Sequence, residues 1–151
     1  MKIAFCVPGV PVAKGRARSA VTKSGKTVHY TPAKTRTYEG IVATMAMGEM
    51  CGRQPLSGPL ELTLRFTLPI PNSWPKWKRE KALMGGIRPT GKPDADNLTK
   101  TLKDGLNGIL WGDDSQVCVT HSEKRYGTVA QTDVCVMPIR AQGAAEARRA
   151  A

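Results

Sequence analysis

The chain has 151 residues, and its 23 lysine and arginine residues outnumber its 12 aspartate and glutamate residues, which gives a net charge of +11. This length suits one domain. A sequence pI of about 9.9 makes nucleic acid the leading partner class, although charge alone leaves a basic surface or a ribosomal or membrane-surface protein open. The apolar runs are too short for a membrane span or a signal peptide, and the four cysteines lack C-x-x-C spacing, which argues against a zinc site. We therefore expect a cytoplasmic protein with free thiols and no membrane partner.

The first predicted element is a short buried strand from Lys2 to Val7, which Pro8 and Pro11 end. A basic segment follows, in which no acidic residue occurs before Glu39. Its glycines and Pro32 predict a loop or a loose hairpin. Unopposed cations repel one another unless an anion binds them, so we interpret this segment as a contact with the DNA backbone rather than only a solvated arm. The predicted DNA-binding residues are Lys14, Arg16, Arg18, Lys23, Lys26, Lys34 and Arg36.

A helix is predicted next from Thr35 to Met50, with Thr35 or Thr37 as its N-cap. The segment from Leu60 to Leu68 alternates apolar and polar residues with a period of two, which predicts a strand with one buried face. In the helix predicted from Thr35 to Met50, the apolar stripe comprises Tyr38, Ile41, Val42 and Met45.

The connection from Pro69 to Pro93 mixes basic residues with tryptophan, and a short helix is predicted near Lys76 to Met84. Such a surface can contact phosphates and stack on bases. Lys76 and Lys78 are therefore added to the predicted DNA-binding residues. Tryptophans that fold back over the core are an equal alternative.

A second main helix is predicted from Asn97 to Leu110, and two strands are predicted at Val117–Tyr126 and Thr132–Ile139. The expected fold is a single small α/β domain, in which a mixed β-sheet packs against two main helices. We place the domain at residues 1–140. The Ala- and Arg-rich tail, residues 141–151, is expected to be a frayed helix or disordered.

Five of the six aspartates lie within a short stretch of this basic chain. Neighbouring carboxylates repel, and a divalent cation removes that cost, because Mg²⁺ takes hard oxygen ligands. In an extended D-A-D segment both carboxylates point to one side, so Asp94 and Asp96 suit one ion. The alternatives are that Asp96 caps the following helix and that Asp113 and Asp114 shape a turn.

Lys100 follows Asp96 by four residues, in what is predicted to be the first turn of the helix, where the macrodipole disfavours a cation. It suits a contact with the scissile phosphate, and a simple Asp96–Lys100 surface pair is an even alternative. Other catalytic schemes lack their motifs, since there is no P-loop and no G-x-S-x-G.

The run from Lys92 to Val117, K-P-D-A-D-N-L-T-K-T-L-K-D-G-L-N-G-I-L-W-G-D-D-S-Q-V, resembles the signature of the RusA family of Holliday-junction resolvases. The family pattern is D-x-D-N-L-x-K, an amphipathic helix with D-x-L, and D-D-x-Q-V; here Ala95 replaces a usually bulkier apolar residue. The N-terminal P-G-V-P-V-A-K-G-R-A-R and the later Y-T-P resemble phage-borne members. The resemblance implies a homodimer that uses Mg²⁺, with Mn²⁺ as an alternative, to nick opposing strands of a four-way DNA junction symmetrically in recombination and repair.

The resemblance also assigns residues. It implies that Asp94, Asp96 and Asp114 are essential carboxylates, that Asp113 is the adjacent acid of the metal site, and that Lys100 is the essential lysine. The function expected from the sequence is thus a crossover junction endodeoxyribonuclease. Its alternatives are a nuclease for other branched DNA and a DNA-binding module that cuts nothing.

Overall fold

A four-stranded mixed sheet forms the centre of the protein, in a computed structural model that describes residues 1–16 and 18–140. Its strands are β1 (Ile3–Pro8), β4 (Leu60–Pro69), β5 (Val117–Gly127) and β6 (Gln131–Pro138), in the order β1-β6-β4-β5. β4 and β5 are parallel, and the other neighbours are antiparallel. A separate hairpin pairs β2 (Arg18–Val21) with β3 (Thr27–Tyr30). The helices are α1 (Ala33–Met50), α2 (Lys76–Leu83) and α3 (Ala95–Leu106).

The predicted α/β domain with a mixed sheet is confirmed, and α2 adds a third, shorter helix to the two main ones. The core lies between α1, α3 and one face of the sheet. The alternation of apolar and polar residues along β4 gives the sheet this apolar face, because Leu60, Leu62, Leu64 and Phe66 are all fully buried on it. In the part of the chain that the structure describes, no helix has the length and apolar character of a membrane span. Residues 141–151, for which a frayed or disordered tail is expected, lie outside the described residues.

α1 differs from its prediction at its start and along its stripe. Pro32 occupies the N-cap, so the predicted caps Thr35 and Thr37 are wrong. Thr35 is buried instead, where its hydroxyl accepts a hydrogen bond from the Gly15 N–H at 3.2 Å. Of the predicted stripe, Tyr38 and Val42 are buried, whereas Ile41 is 39% exposed and Met45 is 37% exposed. The buried face continues through small or flexible residues at four-residue steps, Ala46 and Met50.

α3 begins at Ala95 and ends at Leu106, so both predicted bounds, Asn97 and Leu110, are wrong. The helix ends where Gly108 adopts a positive φ of 80°, which glycine tolerates best. The Gly108 N–H then donates to the Trp111 carbonyl at 2.8 Å, which closes a tight turn. Leu110 is buried through this turn rather than through the helix.

Gly105 marks the closest approach of α3 to α1. A methyl group there would lie 2.9 Å from the Val42 side chain and 3.1 Å from the Glu39 carbonyl oxygen. We expect Gly105→Ala to lower the free energy of unfolding by about 1–3 kcal/mol, although alanine is the better helix former. Gly40→Ala on α1 is the control, because nothing lies within 4 Å of its added methyl group. In urea unfolding the control should raise stability by about 0.5–1 kcal/mol, and equal behaviour of the two variants would contradict the close approach.

Candidate active site

Two carboxylates stand at the amino end of α3. Asp94 occupies the N-cap position, with φ −69° and ψ 144°, and Asp96 is the second residue of the helix. Both residues are exposed. The Asp94 carboxylate makes no cap hydrogen bond, and the structure gives neither carboxylate a hydrogen bond or an ion pair among the residues it describes. The capping role left open for Asp96 is therefore absent, and both carboxylates are available to a ligand.

Contacts from β5 fix the segment that carries these carboxylates. The Lys124 ammonium donates to the Gly91 carbonyl at 2.9 Å and to the Pro93 carbonyl at 3.0 Å. Past the D-A-D segment, the Thr99 and Ser122 hydroxyls lie 2.8 Å apart. The strand thus holds the chain both before and after the carboxylate pair.

Lys100 is the sixth residue of α3, because the helix begins at Ala95. The prediction that Lys100 lies in the first turn is therefore wrong. The helix macrodipole acts mainly on the terminal turn, so it gives little reason to regard a lysine at this position as unusual. Lys100 is exposed, and no contact within 4.0 Å joins it to Asp96 or to another described carboxylate. The simple Asp96–Lys100 pair is thus absent from the structure.

The second acidic pair lies beyond the end of α3, and its two members differ in their surroundings. The buried Trp111 indole N–H donates to Asp114 Oδ1 at 2.8 Å, so one carboxylate oxygen is fixed against the core. The Ser115 hydroxyl donates to Asp113 Oδ2 at 2.6 Å, which agrees with a turn-forming role for Asp113. Gln116 anchors this turn to the chain before β4, because its amide donates to the Leu56 carbonyl at 3.0 Å.

One chain does not gather the four aspartates. α3 has 12 residues, so at 1.5 Å per residue it separates its two ends by about 18 Å. Among residues 1–16 and 18–140, no three His, Cys, Asp or Glu side chains lie close enough to hold one metal ion. The predicted extended D-A-D segment is wrong, because Ala95 and Asp96 belong to α3 and only Asp94 is extended, so the same-side argument for the two carboxylates does not hold. The chemistry of the pair still fits Mg²⁺, because this ion is usually held by one or two carboxylates together with water and substrate phosphates.

Lys14 forms ion pairs with acidic residues, whereas the sequence predicted that the cations of its segment have no acidic partner. Its ammonium lies 2.7 Å from Glu39 and 2.7 Å from Asp104. Partial burial alone would lower the pKa of Lys14, but its hydrogen bonds to Asp104 and Glu39 outweigh that effect and raise the pKa above its usual 10.5. A raised pKa means that the pair stabilises the fold at neutral pH and is lost only as the pH rises through the folded value. The DNA-binding role of Lys14 stays a prediction, and its contacts favour a structural role.

Five other predicted DNA-binding residues of the N-terminal segment are exposed. Lys23 and Lys26 lie in the β2–β3 hairpin, whose described side chains are exposed, and this hairpin confirms the predicted loose hairpin. Of Arg18 the structure describes only the backbone. Within the described part of the chain, no carboxylate pairs with the exposed residues Arg16, Lys23, Lys26, Lys34 and Arg36.

The two tryptophans near α2 have different environments, which separates the alternatives left open for them. Trp74 folds back, with its ring centroid 5.2 Å from that of Tyr126 and the Lys78 ammonium 4.0 Å above its ring. Trp77 points outward and is 65% exposed. The exposed Lys76 precedes it on the same helix. One tryptophan therefore packs on the protein, and the other is free to contact a partner.

Comparison with known proteins identifies the family of the chain. The family model described as "Endodeoxyribonuclease RusA" matches residues 8–137. The chain belongs to the RusA family. It is also 36% identical over 141 residues to a Bacillus subtilis (strain 168) protein described as "Uncharacterized protein YqaN", covering 92% of this chain and 98% of the relative. The family resemblance predicted from the D-x-D and D-D motifs is thus confirmed, and it makes the protein an endodeoxyribonuclease by family, in a class of nucleases that are generally metal-dependent.

Sequence reasoning missed three residues that hold the acidic segments in place. Trp111 donates a hydrogen bond to Asp114, and Gln116 donates one to the Leu56 carbonyl. Lys124 donates to the loop before Asp94. Gln116 stands inside the D-D-x-Q-V motif, which was a usable signal. Nothing in the sequence pairs Lys124 with a loop more than thirty residues earlier, because that contact exists only once β5 has paired with β4.

Proposed function

We propose that this protein is a Mg²⁺-dependent endonuclease that resolves four-way DNA junctions by nicking opposing strands. The observation that carries the proposal is the pair of exposed, unengaged carboxylates, Asp94 and Asp96, in a RusA-family protein of net charge +11. Exposed carboxylates repel the phosphates of DNA, and a bound cation offsets that repulsion. The proposed metal site therefore comprises Asp94 and Asp96, with Asp114 and Asp113 added from the second acidic segment.

The roles of the chain's own residues follow from this placement. The carboxylates would hold a divalent cation, which when bound would offset negative charge on the scissile phosphate and lower the pKa of a bound water. Lys100 has no described carboxylate partner, so its ammonium is available to the phosphate, where it offsets the negative charge that builds during cleavage. The Trp111 indole holds Asp114 in one orientation, since a carboxylate with a fixed oxygen loses less freedom when it binds a cation.

The separation of the two acidic segments supports a site shared across a homodimer. A two-fold axis that crosses antiparallel copies of α3 sets the end of one helix beside the start of the other. Asp114 of one subunit then approaches Asp94 of its partner. Two equivalent sites result, as symmetric nicking of a junction requires.

A panel of DNA substrates tests the proposed function. Mobile four-way junctions, flaps, replication forks and linear duplexes of matched sequence are compared for binding and for cleavage. Preferred cleavage of the four-way junction supports resolution, and preferred cleavage of flaps or forks supports the second candidate, a nuclease for other branched DNA. Tight binding of junctions without cleavage of any substrate, at any Mg²⁺ or Mn²⁺ concentration, would make the protein a binding module and refute the proposal.

The basic hairpin gives a prediction about salt dependence. We expect Lys23→Ala with Lys26→Ala to flatten the log–log salt dependence of duplex binding by about 0.9 for each phosphate that the hairpin no longer neutralises. Lys14→Met removes one lysine charge, but its ammonium is already neutralised by Glu39 and Asp104. That variant should lower stability and leave the salt slope unchanged. An unaltered slope in the double variant would remove the hairpin from the DNA interface.

Trp77 gives a prediction about unpaired bases. Base–aromatic stacking contributes enough that Trp77→Ala should weaken binding of single-stranded or forked DNA by about tenfold. Trp77→Phe should restore part of the affinity, because it keeps an aromatic face. Leu83→Ala is the control, since Leu83 is 47% exposed on the same helix and has no aromatic ring. Equal losses in the alanine variants at 77 and 83 would show that α2 contributes general apolar contact rather than stacking.

A further inference from the structure

Lys124 directs its ammonium at the backbone rather than at a carboxylate. It lies on β5, partly buried, and its Nζ donates to the Gly91 and Pro93 carbonyls at 2.9 and 3.0 Å. Its neighbour Glu123, which points to the opposite face of the strand, pairs instead with Arg65 and Arg88. No described carboxylate lies within 4.0 Å of Lys124 itself. The charged group is thus used for two carbonyls in one loop.

The loop that Lys124 holds leads directly into the D-A-D segment. Pro93 precedes Asp94, and Asp94 sits at the N-cap with a carboxylate that nothing in the described chain restrains. The position of that carboxylate is therefore set by its backbone, and the backbone on its amino side is held by Lys124. Ser122, two residues earlier on β5, contacts Thr99 on the carboxyl side at 2.8 Å. Residues two apart on a strand lie on the same face of the sheet, so one face of β5 holds both flanks of the D-A-D segment.

We propose that Lys124 is a positioning residue for Asp94, a role that rests on the proposed function of the D-A-D pair as a metal site. Charge-assisted hydrogen bonds are shorter and stronger than neutral ones, which suits an ammonium for fixing a loop that has no regular structure. When those two bonds are lost, the loop at residues 91–93 gains freedom and the Asp94 carboxylate leaves its productive position. A displacement of about 1 Å is enough to lower a catalysed rate by as much as about 100-fold. Lys124 acts through Asp94 and need not touch DNA.

The test compares three variants of the full-length protein. Lys124→Met removes both donors and the charge, and Lys124→Arg keeps the charge and several donors. Lys2→Met is the matched control. It makes the same substitution at an exposed lysine just before β1, which lies at the opposite edge of the sheet from β5. Hydrogen exchange is measured without metal for the peptide that covers residues 91–96. Cleavage rate, junction affinity and the Mg²⁺ concentration at half-maximal rate are measured in parallel.

We expect Lys124→Met to exchange faster in that peptide alone, to cleave about 100-fold more slowly and to need more Mg²⁺, with junction affinity kept within about twofold. Lys124→Arg should recover part of each effect, and Lys2→Met should match the wild type. Unchanged exchange in Lys124→Met would overturn the proposal, as would an affinity loss equal to the rate loss, which would make Lys124 a phosphate ligand.

Two further outcomes are decisive. If Lys124→Met exchanges faster in every peptide, the residue stabilises the whole fold; the shorter Lys124→Gln, which keeps a neutral donor, then shows whether a local effect remains, and its absence overturns the proposal. If the wild type cleaves no branched DNA, the proposed function fails. The exchange of residues 91–96 and Mn²⁺ binding to the free protein still decide whether Lys124 orders the carboxylate segment.

Discussion

We expect Asp94→Asn to slow junction cleavage by about a thousandfold and to leave junction affinity within about twofold. The change removes one charge and almost no volume. Asparagine is as good an N-cap as aspartate, and the Asp94 carboxylate makes no cap bond, so the fold should be unaffected. Single-turnover cleavage and equilibrium binding of the same labelled junction measure the two quantities.

Asp133→Asn is the matched control for this variant. Asp133 lies on β6 and pairs with Arg125 at 3.7 Å. It is distant in the chain from the D-A-D segment, which lies at the start of α3. Its loss should leave the cleavage rate unchanged. Full activity of Asp94→Asn would exclude Asp94 as a metal ligand, and a loss of folding or of DNA binding would make it a structural acid.

The second large effect is a gain of nicking activity when two inactive variants, Asp94→Asn and Asp114→Asn, are combined in one dimer. Asp94→Asn and Asp114→Asn homodimers should each be inactive, because every shared site lacks one carboxylate. In a mixed dimer both changes fall in one site and the other site is intact, so single-strand nicking should reappear from a background near zero. Refolding the subunits together, one of them tagged, allows the heterodimer to be isolated and assayed.

Controls for the mixture separate exchange of subunits from sharing of sites. A mixture of Asp94→Asn with Asp96→Asn should stay inactive, since both changes lie in the same acidic segment and each mixed site lacks a carboxylate. Continued inactivity of the Asp94→Asn and Asp114→Asn heterodimer would place each site within one subunit. In that case the fold at Gly108 would have to bring the acidic segments together on DNA binding.

Sequence reasoning predicted the parts of the fold that local pattern controls. The alternation from Leu60 to Leu68 correctly predicted β4. The clustered aspartates and the family motif predicted the candidate site, and that site stays a prediction. The family assignment rested on the same short motif and is confirmed over residues 8–137. Such features depend on neighbours a few residues apart, and periodicity records those neighbours.

The errors occur where distant segments meet. The apolar stripe of α3 continues to Leu110, but the turn at Gly108 buries that leucine by another route, so periodicity extends the predicted helix too far. Lys14 looks unopposed in the sequence because Glu39 and Asp104 are distant from it along the chain. The role of Lys124 is hidden for the same reason. Long-range pairing is decided by the packed fold and leaves little local trace.

The most direct test of the account is cleavage of a mobile four-way junction whose four strands are labelled separately, with the wild-type protein in Mg²⁺ and in EDTA. The account predicts paired nicks at symmetric positions in opposing strands, with Mg²⁺ present and not with EDTA, and no comparable cutting of a linear duplex of the same sequence. Equal cleavage in EDTA, equal cleavage of the duplex, or tight binding of the junction with every strand left intact would contradict it.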